Sequence, residues 1–129
     1  MTLTVFERFW LWRRRNGLSQ YAASDIIGCS RETVQLIEKG CAWPLRWIDD
    51  WTLPHIPSPG EELRLMRRRA RLDAEHMSAL LDISRTILYS IENGKISLSE
   101  YEMVSIQKAI VYHQKAGNWP KPGPGQIRK

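Results

Sequence analysis

Apolar side chains recur along this chain in short runs at helical spacing, and each run lies between residues that start and end helices. The spacing predicts helices over about 5–16, 20–27 and 31–39. The residues that mark these ends are Thr4 with Glu7 as a capping box, Ser19 and Ser30 as further caps, and Gly17 and Gly40 as terminators. No run alternates apolar and polar positions in the manner of a strand. The pattern therefore predicts an all-α protein.

The same arrangement occurs twice in the chain. A displacement of 54 positions places residues 11–40 on residues 65–94 without a gap. The second copy begins with a capping box of Ser58 and Glu61, with Pro59 at the first helical position. The identical pairs include Arg13/Arg67, Arg14/Arg68, Arg15/Arg69, Leu18/Leu72, Ser30/Ser84, Arg31/Arg85, Ile37/Ile91, Glu38/Glu92 and Gly40/Gly94.

A longer helix is predicted after the second copy, over about 99–116, with Ser97/Glu100 and Ser99/Glu102 as competing capping boxes. The last 13 residues contain three prolines and three glycines, which is typical of a flexible tail. The predicted domains are a first over 1–53, a linker over 54–60, a second over 61–116 and a flexible basic tail over 117–129.

A tight turn separates the second helix from the third in each copy. Such a turn needs a residue that tolerates a positive φ, a role that suits Gly28 in the first copy and Asp82 in the second. Ser24 and Ser78 are small residues at the positions where the two helices approach each other. Each copy is therefore predicted to be a helix-turn-helix unit.

One set of residues recurs at matching positions of both copies. In the first copy it is Arg13, Gly17-Leu18-Ser19-Gln20, Gly28-Cys29-Ser30, Val34 and Ile37-Glu38-Lys39-Gly40. In the second copy it is Leu63, Met66-Arg67, Leu72, Ile83-Ser84, Leu88 and Ile91-Glu92-Asn93-Gly94. Both sets resemble the Cro/phage-repressor-type (XRE-like) helix-turn-helix family, whose third helix enters the major groove of operator DNA. The resemblance covers roughly residues 5–52 and 59–110 and implies two tandem domains of the lambda-repressor-like type.

The resemblance also implies which side chains meet DNA. The base-edge positions would be Arg31, Glu32 and Leu36 in the first copy and Arg85, Thr86 and Ser90 in the second. Arginine can bind guanine through two hydrogen bonds, and glutamate can accept one from cytosine. Gln20 matches a phosphate-contact position at which the second copy has Ala74. Ser30 and Ser84 are interpreted as helix caps that can also touch phosphate.

An internal ion pair in each copy is a further implication of the resemblance. The pairs would be Arg13–Glu38 and Arg67–Glu92, each joining the first helix of a copy to the third. Removing one partner of such a pair costs more than the intact pair contributes. The neighbouring arginines lie on the outer faces of the helices. The sequence does not decide whether they are only solvated or also contact phosphate.

Tryptophan recurs every four residues at Trp43, Trp47 and Trp51, which indicates an aromatic stripe. Such a stripe either closes the first core, packs the two copies together, or forms the surface of a homodimer, since aromatic side chains anchor protein interfaces. Trp10 points away from the predicted core and would extend the same surface. The sequence leaves these alternatives open.

Composition excludes several classes of function. The net charge is +5 over 129 residues, with +1 in residues 1–57 and +4 in residues 58–129, a balance that permits nucleic-acid binding. His55, His76 and His113 lack the spacing of metal ligands, and no glycine-rich phosphate loop is present. Cys29 matches Ile83 in the repeat and is expected to be a small buried hydrophobe. A non-enzyme without cofactor, metal or small-molecule substrate is predicted.

The function predicted from these observations is sequence-specific binding of double-stranded DNA by a transcriptional regulator. A repressor of a bacterium, phage or mobile element that occludes a promoter with both third helices is the simplest form. The absence of a signal peptide and of an apolar run of about 20 residues predicts a soluble, cytoplasmic protein without a membrane partner. The alternative is a protein-binding antiactivator or inhibitor that retains the fold, which Ala74, Leu36 and the nearly neutral first half favour.

Overall fold

The computed structural model describes residues 1–115, which divide into two compact units, Met1–Pro57 and the part that begins at Ser58. In the first unit, α1, α2 and α3 span Val5–Arg15, Gln20–Ile27 and Arg31–Glu38, followed by 3₁₀ turns at Pro44–Arg46 and Asp50–Thr52. In the second, α4, α5, α6 and α7 span Pro59–Arg69, Ala74–Leu81, Arg85–Glu92 and Glu100–Lys115. Residues 1–115 contain no strand, so the predicted all-α class is confirmed for them. The tail predicted over 117–129 lies outside the described residues.

Reciprocal hydrogen bonds between neighbouring residues start three of these helices. In each, a backbone N–H donates to the capping hydroxyl at 3.1 to 3.3 Å, and a glutamate carboxylate accepts from the N–H of the capping residue. The pairs are Thr4/Glu7 at α1, Ser58/Glu61 at α4 and Ser99/Glu102 at α7. Of the two capping boxes that compete for the start of α7, the one at Ser99 therefore forms.

The first unit packs its three helices and the following turns around one apolar core. Its buried members are Phe9, Ala23, Val34, Ile37, Ile48 and Leu53. Cys29 is half-buried at the edge of this core, and burial raises the pKa of its thiol. In the second unit the matching Ile83 packs at the edge of the other core. Both residues therefore contribute to packing beside the turn between the second and third helices.

A buried arginine ties the end of the first unit to α1. Arg8 donates to the Asp50 carboxylate at 2.7 Å and to the backbone oxygens of Asp50, Leu53 and Pro54 at 2.9, 3.2 and 3.1 Å. Its guanidinium also lies 2.8 Å from Nε2 of His55, which accepts, because arginine has only donors.

The segment predicted as a linker over 54–60 is consequently divided between the two units. Pro54 accepts from Arg8, and Ile56 accepts from Arg15 at 2.7 Å, so this part is held on α1. Pro59 and Gly60 instead form the first turn of α4. The proline content indicated a connection, but the donors that order its first half come from α1, more than forty residues away in sequence.

The second unit builds its core from four helices. The buried members are Leu63, Met66, Leu72, Ala74, Met77, Leu88, Ile91, Met103 and Ile110. The helix α7 supplies Met103 and Ile110, so it closes this core where the 3₁₀ turns close the first. At the start of α4, Gly60 passes so close to α6 that a Cβ atom would lie 2.3 Å from the Ile91 carbonyl oxygen. The absence of a side chain at Gly60 therefore permits this close helix contact.

The predicted tryptophan stripe does not form. Trp47 packs against the first core, Trp43 is 52% exposed with its ring edge-on to Phe6, and Trp51 is 82% exposed. The four-residue spacing does not align these rings because Trp43 and Trp47 flank one 3₁₀ turn and Trp51 lies in the next, so no α-helix carries all three.

Trp10 does not extend an exposed aromatic surface either. Its exposed fraction is only 7%, and the guanidinium of Arg14 lies over its ring at 5.1 Å from the centroid. The neighbouring Leu11 is fully buried. Trp10 is therefore buried and forms no exposed surface with Trp43 and Trp51.

Candidate nucleic-acid interface

The second and third helices of each unit meet at the predicted left-handed residue. Gly28 has φ of 78° and Asp82 has φ of 55°, both in the left-handed region. The N–H after each turn donates back to a serine carbonyl, Cys29 to Ser24 at 3.1 Å and Ile83 to Ser78 at 3.0 Å. The two units therefore make the same reversal with different residues.

In the first unit the start of α3 is capped and partly exposed. The Ser30 hydroxyl accepts from the Thr33 N–H at 3.1 Å, as expected for a cap. Glu32 is exposed and Leu36 is 45% exposed. Arg31 is half-buried, with its guanidinium 4.8 Å from the centroid of the Tyr21 ring. The three residues assigned to base edges therefore differ in how freely they face outward.

In the second unit the start of α6 presents more of its side chains to solvent. The Ser84 hydroxyl accepts from the Ile87 N–H at 3.2 Å, and both Arg85 and Thr86 are exposed. Ser90 is half-buried, and its hydroxyl donates to the Thr86 carbonyl at 2.9 Å. Arg85 and Thr86 are thus available to an external partner, whereas Ser90 already uses its proton within the helix.

The first internal ion pair is part of a larger polar network. Arg13 contacts Glu38 through two nitrogens, with Nη2 3.0 Å from Oε1, and its Nη1 donates to the Leu18 carbonyl. Gln20 donates to the same Oε1 at 3.1 Å and accepts from Gln35 at 3.3 Å. The amide expected at phosphate is therefore engaged inside the unit, where it connects the start of α2 to α3.

The carboxylate of the second internal ion pair also has a third donor, but a different residue supplies it. Arg67 donates to both oxygens of Glu92, at 2.9 and 3.0 Å. Nη1 of Arg64 lies 3.4 Å from Oε1 of Glu92. The matching oxygen of Glu38 accepts from Gln20 in the first unit. Ala74, in the place of Gln20, is buried and supplies no side-chain donor. Sequence reasoning missed Arg64, although the missing amide was the signal that this carboxylate needs another donor.

The starts of α2 and α5 carry different charge. Ser19 caps α2, whose first turn has no acidic residue. Asp73 caps α5 by accepting from the His76 N–H at 2.8 Å, its carboxylate lies 2.6 Å from the His76 ring nitrogen, and Glu75 follows in the first turn. Carboxylates near a helix N-terminus stabilise the helix but repel an incoming phosphate. Of these two helices, only α2 therefore has an N-terminus that suits phosphate.

Other chemistry is limited within residues 1–115. No group of three or more His, Cys, Asp or Glu is arranged to hold a metal ion among the side chains described for residues 1–99, 102–112, 114 and 115. Cys41 is exposed, with its sulfur 3.9 Å from the Lys39 carbonyl oxygen. None of the helices in this part combines the length and apolar character needed to cross a bilayer.

No protein-family profile, curated protein or solved structure matches this chain.

Proposed function

We propose that this chain is a sequence-specific DNA-binding transcriptional regulator, built from two tandem helix-turn-helix domains of the Cro/phage-repressor type. Each third helix, α3 and α6, reads one half-site from the major groove. Occlusion of a promoter by the bound protein would make it a repressor. Double-stranded DNA is the partner, and no reaction is catalysed.

The observation that carries the proposal is the repeated presentation of a capped third helix. In both units a left-handed residue reverses the chain, an exposed serine caps the next helix, and an arginine is its first residue. A buried arginine–glutamate pair fixes that helix against the first helix of its unit. This ion pair keeps the residues proposed to read bases on a rigidly held helix, as base recognition requires.

Binding of a duplex that carries the DNA upstream of the protein's own gene tests the proposal. We expect specific binding that weakens steeply between about 50 and 200 mM salt, because phosphate contacts release counterions. Arg85→Ala should cost about 1–3 kcal/mol of binding free energy, the size of one arginine–guanine contact. Lys108→Ala, an exposed cation on α7, is the matched control and should change binding less.

Footprints of two single variants show whether both units read DNA. If each unit reads one half-site, Arg31→Ala and Arg85→Ala should remove protection from opposite halves of one operator. Indifference to Arg85→Ala would restrict reading to the first unit. Equal affinity of the wild-type protein for the upstream duplex and an unrelated duplex would overturn the proposed function.

A protein-binding inhibitor is the second candidate, and exposed apolar side chains on the third helices favour it. Leu36 on α3 is 45% exposed, and Ile87 and Tyr89 on α6 are each 43% exposed. In a DNA reader such groups meet thymine methyls, whereas in an inhibitor they contact another protein. Regulation of a reporter gene that survives Arg31→Ala with Arg85→Ala but is lost with Leu36→Asp would favour this second function.

A further inference from the structure

Tyr21 of α2 and Arg31 of α3 form an aromatic–guanidinium stack beside the reading positions. The Cζ atom of Arg31 lies 4.8 Å from the centroid of the Tyr21 ring, within the range of a cation–π contact. The Nε atom of Arg31 is enclosed and has no hydrogen-bond partner among residues 1–115. Among the side chains that the structure describes (residues 1–99, 102–112, 114 and 115), no carboxylate pairs with this guanidinium. Ring stacking and enclosure, not hydrogen bonds, therefore hold the Arg31 side chain.

The second unit lacks this stack. Glu75 occupies the place of Tyr21, and Arg85, in the place of Arg31, is exposed. Tyr21 itself is 63% exposed, so its ring is not needed to fill the core. The ring thus has no evident packing role that would explain a tyrosine at this position.

We propose that Tyr21 is a positioning residue for Arg31, which it orients toward a guanine of the first half-site before DNA arrives. This inference rests on the proposed function and adds a specificity determinant to it. An arginine that is already stacked loses less rotamer freedom on binding than a free one. No hydrogen bond to the described side chains occupies the Nη groups of Arg31, which can bind guanine O6 and N7 together. The two units consequently read DNA unequally, the first with an arginine already packed on Tyr21 and the second with an exposed one.

A double-mutant cycle tests this role on a duplex enriched from a random-sequence pool by the wild-type protein. Tyr21→Ala should weaken binding about two- to five-fold, the size of an exposed cation–π contact. Tyr21→Phe, which keeps the ring face, should restore wild-type affinity. In an Arg31→Ala background, Tyr21→Ala should have no further effect, because Tyr21 acts through Arg31. Tyr112→Ala removes a tyrosine of similar exposure, 67%, and serves as the control.

Specificity provides the second measurement. Tyr21→Ala should narrow the affinity difference between the enriched duplex and one with adenine in place of the guanine read by Arg31. Unchanged or tighter binding by Tyr21→Ala, or an equal loss in the Arg31→Ala background, would overturn the positioning role while leaving the proposed function intact. If the wild-type protein enriches no duplex, both proposals fail, and the two failures are therefore distinguishable.

Discussion

The two units have the same three-helix arrangement but satisfy their central carboxylates with different donors. In the first, Glu38 pairs with Arg13 and accepts from Gln20 of α2. In the second, Glu92 pairs with Arg67 and with Arg64 of α4. A buried carboxylate must be paired, but the partner can come from either neighbouring helix. The comparison teaches that the second unit can lack the Gln20 amide without losing the network, because another element supplies the charge.

The two units also differ in which helix N-terminus carries acidic residues. The first unit has no acid at the start of α2 but has Glu32 in the first turn of α3. The second unit has Asp73 and Glu75 at the start of α5 but no acid in the first turn of α6. Each unit therefore keeps one of these two helices without an acidic residue in its first turn, α2 in the first unit and α6 in the second.

Removal of the central carboxylates should produce the largest effect. Glu92→Ala leaves two guanidinium groups beside a fully buried site, and we expect a loss of about 4 kcal/mol in the free energy of unfolding. Glu38→Ala should cost about 3 kcal/mol, because only Arg13, 18% exposed, loses its charged partner. Chemical denaturation followed by circular dichroism measures both.

Tryptophan fluorescence assigns the transitions, since five of the six tryptophans lie in residues 1–57. Gln107→Ala, at an exposed position inside α7, is the control and should change stability by less than about 0.5 kcal/mol. Unchanged denaturation midpoints for both Glu38→Ala and Glu92→Ala would contradict a structural role for the ion pairs.

Gly60 tests the close helix contact found only in the second unit. Gly60→Ala should destabilise that unit by about 3 kcal/mol, because the new Cβ atom would overlap the Ile91 carbonyl oxygen, a backbone atom that cannot turn away. Phe6, at the matched position of the first unit, contacts Trp43 edge-on, and Phe6→Ala should cost about 1 kcal/mol. Equal effects in the two denaturation curves would show that α4 can shift to accept a side chain.

The second residue after the first helix of each unit offers a smaller test, in which the two substitutions should change stability in opposite directions. Arg71 has φ of 58° at the position where Gly17 has φ of 64°. Arg71→Gly should therefore stabilise the second unit by about 1 kcal/mol, because glycine occupies the left-handed region without steric cost. Gly17→Ala should destabilise the first unit by a similar amount, since no atom crowds its Cβ position and only the backbone is strained. Thermal denaturation should reveal shifts in opposite directions, and shifts of the same sign would contradict this account.

Thiol reactivity should give the smallest effect and reports on the first unit alone. Cys29 is half-buried, and burial raises the pKa of its thiol, so a smaller fraction is thiolate at pH 8 than in a free cysteine. Cys41 is exposed. Labelling of the single variants Cys29→Ser and Cys41→Ser with a thiol reagent should show faster modification of Cys41. Equal rates would indicate that the edge of the first core opens readily.

Short-range rules predicted the local parts of this fold well. The capping boxes at α1 and α4 and the left-handed residues Gly28 and Asp82 depend on neighbours within a few positions, and all are present in the structure. Helical spacing misjudged Trp43 and Trp51 because the segment that carries them is not an α-helix. Periodicity indicates a face only where the backbone has the matching period.

The sequence by itself determined where helices begin and turn, because capping, glycine content and apolar spacing act between near neighbours. Tertiary structure alone decided which donors reach the buried carboxylates, as Arg64 on Glu92 shows, and which segment Arg8 holds at Asp50 and Leu53. It also placed Tyr21 against Arg31, ten positions apart on different helices. These contacts depend on how packed helices orient their side chains, which the spacing of residues along one chain does not specify.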